Sequence, residues 1–149
     1  MNKIRQNLLA VSILAGLVSI AAPARALTAS EQANEQLVLA QMQAMAQKDV
    51  AKAASFLAPG YIQHNPLVPT GKAGFVAFFS KVWAGKPPGT FTKPAEVMAQ
   101  GDLVMVMVTR SKPEPRDPSK SYNSYWFDLY RVSGGKIVEH WDEATKPTP

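Results

Sequence analysis

The hydrophobic period of this chain changes near residue 90. From Thr28 to Trp83, apart from a short extended stretch, apolar residues recur at helical spacing; from Phe91 to Asp142 they alternate or run on continuously, as in strands. Neither kind of segment buries its apolar side alone, so such a chain must lay a helical layer on a sheet. The order predicts an α+β fold: helices first, then a meander of antiparallel strands, with the helices covering one face of a curved sheet. A curved sheet closed in this way makes a cone-shaped barrel whose open end can hold a small apolar ligand.

The helical half divides into three segments. Thr28-Ala29-Ser30-Glu31 is a capping box, a hydroxyl for one free N–H and a carboxylate three residues on to return the bond. It opens a helix to about Gln47, with Val38, Met42 and Met45 on one face. Asp49 caps a second helix carrying Val50, Ala53, Ala54 and Leu57, which Pro59-Gly60 should end. Thr70 is the expected cap of a third, in which Phe75, Phe78, Phe79, Val82 and Trp83 form the strongest helical stripe of the chain; Gly85 and Pro87-Pro88 stop it. Between the second and third lies Tyr61-Ile62-Gln63-His64-Asn65-Pro66, extended because Asn65 precedes a proline. Tyr61, Gln63 and Asn65 then share one face, and Ile62 and His64 the other. The apolar companion of His64 points to an inward imidazole.

In the strand half, Phe91 to Ala99 should be an edge strand because of Pro94. Gly101-Asp102 is a turn, and Leu103 to Val108 is apolar on both faces, as expected of a central strand. The prolines at 113, 115 and 118 predict an exposed loop. Tyr122 to Val132 alternates, and Gly134-Gly135 turns the chain into Lys136 to Asp142. Side chains alternate along a strand, so Val138, His140 and Asp142 point one way, and Ile137, Glu139 and Trp141 the other. If the turn has two residues, Val132 faces Ile137, which puts Leu129 opposite His140 and Phe127 opposite Asp142. A slip of one residue would bring Trp126, Asp128 and Tyr130 there instead, with Asp128 as a rival acid.

Composition narrows the classes of function. Lys3 and Arg5, an apolar run from Leu8 to Ala22 and Ala24-Arg25-Ala26 match a secretory leader, expected to be cleaved after Ala26 to leave a periplasmic or secreted chain. Residues 27–149 are then a single domain. Without Lys3, Arg5 and Arg25, the 16 basic residues fall to 13 against 11 acidic ones, and the net charge falls from +5 to +2. No basic cluster with interleaved aromatics is present, so nucleic acid is a poor partner, and no membrane contact is expected after cleavage. There is no cysteine, which excludes disulfides, thiol catalysis and thiolate metal sites.

Four stretches carry a family resemblance: Tyr61-Ile-Gln-His-Asn-Pro66, Gly71 leading into the Phe-rich helix, Trp126-Phe-Asp-Leu-Tyr-Arg131, and Gly135-Lys-Ile-Val-Glu-His-Trp-Asp142. With these the chain resembles the SnoaL-like polyketide cyclase group of the nuclear transport factor 2-like superfamily, in its predicted aldol-condensation branch. The resemblance implies a cone-shaped α+β barrel, often dimeric through its sheet, with a cofactor-free pocket. Fold alone fixes little about function here, because such cones hold isomerases, dehydratases, cyclases, epoxide hydrolases and binding modules.

The residues suggest proton abstraction next to a carbonyl, with His64, His140 and Asp142 as catalytic candidates. A carboxylate among apolar neighbours can serve as general base, here Asp142, while His64 or His140 bonds the enolate oxygen or returns the proton. Tyr61, Phe79, Trp83, Trp126, Phe127 and Asp128 are the expected contacts to a small apolar or carbonyl-containing substrate. No cofactor or metal is needed, although His64, His140 and Asp142 also have the types of a facial metal triad. The alternative is a binding module in which the same groups only orient a ligand. A homodimer would bury the left-over sheet aromatics Trp141 and Tyr125.

Overall fold

The computed structural model describes residues 25–146. The leader expected over residues 1–26 lies outside them except for Arg25 and Ala26. No helix among the described residues is long and apolar enough to cross a membrane.

Three helices and five strands follow in the order α1 (Ala29–Ala46), α2 (Val50–Ser55), β1 (Leu57–Gln63), α3 (Lys72–Val82), β2 (Glu96–Gln100), β3 (Leu103–Glu114), β4 (Asp117–Ser133) and β5 (Lys136–Asp142). The capping box at Thr28 forms as expected, and Asp49 caps α2 by accepting from the Lys52 N–H. Glu31 also accepts from the Gly101 N–H, which ties the start of α1 to the β2–β3 turn. Arg25, Gly101 and Thr28 together hold its carboxyl below the usual carboxylate range.

Four local expectations need correction. The edge strand expected from Phe91 begins only at Glu96, so Pro94 lies before it. The second helix stops at Ser55, and β1 runs straight through Pro59-Gly60. Gly71, not Thr70, caps α3; the Thr70 hydroxyl instead accepts from the Gln63 N–H. The prolines after 112 do not make a loop: β3 and β4 form one long hairpin out to Glu114 and Asp117, with a register shift between Pro113 and Glu114 where the regular ladder is already broken.

The sheet is five-stranded, in the order β1-β5-β4-β3-β2. Its pairs are antiparallel except β1 with β5, which are parallel and joined by a long crossover through α3, β2, β3 and β4. The sheet is thus mixed rather than a pure meander, and its edges at β1 and β2 leave the cone open rather than closed as a barrel. Val104 and Val106 of β3 are fully buried beneath the helical layer; each contributes about 1.5–3 kcal/mol by leaving water. The opposite face of the sheet carries Ile62, Met98, Tyr125 and Phe127, all exposed.

One irregularity positions the site. Gly134 and Gly135 both have positive φ, 57° and 69°, the backbone of a two-residue hairpin turn. As expected from that turn, Val132 pairs with Ile137. The next pair, however, is Arg131 with Glu139, so Val138 is an extra residue, a β-bulge. Beyond it Tyr130 pairs with His140 and Asp128 with Asp142, not Leu129 and Phe127. The bulge lets Ile137, which is fully buried, and His140, which is 8% exposed, both face inward although they are three residues apart.

Candidate functional site

The inward residues of β1, β4 and β5, together with α1 and α3, enclose a cavity of about 430 Å³. Met42 and Met45 of α1 and Phe75, Phe78 and Phe79 of α3 form an apolar wall. Tyr61, Gln63, Asn65, Asp128, Tyr130, His140 and Asp142 form the polar one. A second hollow, lined by Leu27, Met98, Met105 and Leu129 among others, lies at the β2 edge of the sheet and brings no comparable set of titratable groups together.

Hydrogen-bond directions on the polar wall can be assigned one by one. The Asn65 N–H can only donate, and it donates to Gln63 Oε1 at 3.0 Å. The same oxygen faces His140 Nδ1 at 3.0 Å. The Gln63 amide nitrogen donates to the Tyr61 hydroxyl oxygen at 2.9 Å, which leaves the phenol free to donate into the cavity. Trp126 Nε1, a donor only, meets Asp128 Oδ1 at 3.2 Å, and that oxygen faces His140 Nε2 at 3.1 Å. A ring protonated only at Nδ1 would set the Nε2 lone pair against a carboxylate oxygen. A ring that carries its hydrogen on Nε2 donates it to Asp128 instead. Both partners are nearly shut off from solvent, their side chains 13% and 11% exposed.

Asp142 is placed differently. One oxygen accepts from Asn65 Nδ2 at 2.7 Å and the other from the Ala144 N–H at 3.0 Å, so it sits as an acceptor at both ends. The two phenols stay protonated. Burial, reinforced by Asp142 and Asp128, pushes Tyr61 far above its ordinary value, and burial with Asp128 does the same to Tyr130. The site therefore combines a hydrogen-bonded carboxylate, a close Asp–His pair and phenolic donors. Ligating atoms of Asp128, His140 and Asp142 lie within 4.8 Å of one another and could hold a divalent cation.

The profile of the SnoaL-like domain matches residues 38–140, more than half of the chain. The chain belongs to the SnoaL-like family. Solved structures agree on the fold. TsrD from Streptomyces laurentii is 22% identical, with a TM-score of 0.56 over 79% of this chain and 90% of its own. An NTF2-like protein of unknown function from Burkholderia pseudomallei is 22% identical, with a TM-score of 0.57 over 76% and 91%. An LEH-like epoxide hydrolase from M. tuberculosis is 15% identical, with a TM-score of 0.58 over 76% and 83%. No curated protein matches the chain.

His140, Asp142, Tyr61, Phe79, Trp126 and Asp128 all line the cavity. His64 does not. It lies on the other face of β1's extension, stacked on Trp141 at 4.6 Å with the rings 3° from parallel, and 3.5 Å from Glu139 Oε1. The apolar neighbour that suggested an inward imidazole, Ile62, is itself 44% exposed on that outer face. The His64–Asp142 pairing and the metal triad containing His64 are therefore withdrawn. Phe127 is 43% exposed on the outer face, as alternation from the buried Val132 and Tyr130 requires, and Trp83 packs on Phe79 without lining the cavity.

Gln63, Asn65, Tyr130, Arg110 and Gln41 also line the cavity, and sequence reasoning assigned them no role. Gln63 and Asn65 were legible, since alternation already placed them with Tyr61. Gln41 was not: a glutamine in α1 looks like a solvent-facing residue, yet it is 4% exposed and its carbonyl oxygen has no partner among the described residues.

Proposed function

We propose that this cavity binds a small, largely apolar carbonyl compound and moves a proton next to its carbonyl. The observation that carries the reading is the convergence of an acceptor carboxylate, a close Asp128–His140 pair and phenolic donors on one apolar-walled space. Asp142 takes the α-proton, and the C–H electron pair becomes the C=C bond of the enolate as the carbonyl π pair moves onto oxygen. Tyr61 donates a hydrogen bond to that oxygen, and the Asp128–His140 proton can then pass to it. Return of a proton at another carbon gives isomerisation, and attack of the enolate carbon on a second carbonyl gives an aldol product. The Asp and Tyr groups supply the acid, the base and the oxyanion donor.

Acetophenone in D₂O gives the test, with α-proton exchange followed by NMR. The expected result is exchange above the buffer rate, lost by about 10²–10⁴-fold in Asp142→Asn, the usual range for one acid–base group. Exchange that is unchanged in Asp142→Asn sinks the assignment. A second reading, a non-catalytic binding module, is favoured by the fact that both ring nitrogens of His140 already have protein partners. It predicts acetophenone binding with exchange no faster than in buffer.

A further inference from the structure

The cavity carries its charges unevenly. Asp128 and Asp142 lie on its inner wall, and Arg110 is the one lysine or arginine in its lining. Arg110 is exposed and lies on β3 beyond the buried Val104 and Val106, at the solvent end of that strand's inward row. Its guanidinium carbon sits 4.0 Å from the centroid of the Trp126 ring. The ring is itself fixed by the Nε1 bond to Asp128. No carboxylate pairs with Arg110 among the described residues, whereas Arg131 is taken by Asp102 and Glu139, and Lys120 by Asp117. A guanidinium held face-on by an aromatic ring keeps its edge N–H groups available, in a fork that matches a carboxylate.

We infer that Arg110, seated on Trp126 at the mouth, binds an acidic group of the ligand, so that the substrates are carbonyl compounds bearing a carboxylate or similar anion. The inference rests on reading this cavity as the ligand site, and it adds a substrate class and an orientation. Two inner carboxylates repel an anion, and one cation at the mouth attracts it. Such a molecule enters carbonyl end first and leaves its anion outside.

The test uses two probes of nearly equal shape, 4-acetylbenzoate and 4-acetylbenzamide, titrated into the whole protein and followed by NMR line shape. The wild type should bind the anion about 10-fold more tightly at low salt, as expected of one charge-assisted pair, with the gap closing as salt is raised. Arg110→Met, which keeps an apolar stem over Trp126, should bind the two probes alike. Equal affinities in the wild type, or a preference that survives in Arg110→Met, overturn the inference and leave the cavity reading standing. Failure of both probes to bind overturns both.

Discussion

Val138 is the spare residue of the β4–β5 ladder, and a chain lacking it should keep every cross-strand pair on either side. With Val138 deleted, Glu139 follows Ile137 directly. The pairs Val132–Ile137, Arg131–Glu139, Tyr130–His140 and Asp128–Asp142 then form one unbroken ladder. The turn is untouched, because Ser133 still faces Lys136. Two costs remain. Val138 is half-buried, so its removal forfeits about 1 kcal/mol, roughly half of a fully buried valine. The local bend that β5 makes alongside β1 is also lost. A total of about 1–2 kcal/mol corresponds to a fall in Tm of about 3–8 °C for a domain of this size. Urea and thermal unfolding measure the loss. The faces are checked by modification of His140 with diethyl pyrocarbonate in a His64→Gln background, which is unambiguous because the chain has only 2 histidines. His140 should stay protected. If the shortened chain fails to fold, or if His140 reacts as fast as in urea, the bulge does not set the faces of β5 and the reasoning is refuted.

Two other perturbations address the groups around the site. Gln41→Leu replaces a buried amide whose oxygen lacks a partner by an apolar group of similar size; it should raise stability by about 1 kcal/mol, and a lower urea midpoint would show that the amide is satisfied after all. On the outer face, the Arg131 guanidinium first, with further help from His64, holds the Glu139 carboxyl below its ordinary 4.5. Its folded value is thus below its unfolded one. The stability it contributes is present above about pH 4.5 and is lost as the pH falls through the folded value. Glu139→Gln should therefore flatten the dependence of Tm on pH in that acid range, and a curve parallel to the wild type would contradict the pairing.

Much of the architecture is legible in local pattern. The capping box at Thr28 and the Phe75–Phe79 stripe each concern residues within one or two helical turns, and the Gly-Gly turn is set by its own backbone. Such features are decided by short-range sterics and hydrogen bonds, so sequence suffices for them. Alternation likewise placed Tyr61, Gln63 and Asn65 on one face of β1, and His140 and Asp142 together on one face of β5. What it could not do was choose which face of β1 turned inward. Ile62 and His64 looked like the buried pair, yet Tyr61, pressed against Phe75 with ring centroids 6.3 Å apart, occupies the core. That choice depends on what packs opposite.

The sequence by itself determined the succession of helices and strands, the family, and the presence of an imidazole and a carboxylate two residues apart near the end of the chain. The tertiary structure decided their partners. A strand's alternation is a local property, but a bulge exists only relative to the neighbouring strand, since two residues are counted against one across a ladder. Nothing in Lys136-Ile137-Val138-Glu139 marks Val138 as the extra residue. Only the simultaneous burial of Ile137 against Val132 and of His140 against Tyr130 requires it. That requirement sets Asp128, rather than Phe127, opposite Asp142 and makes the inner wall acidic.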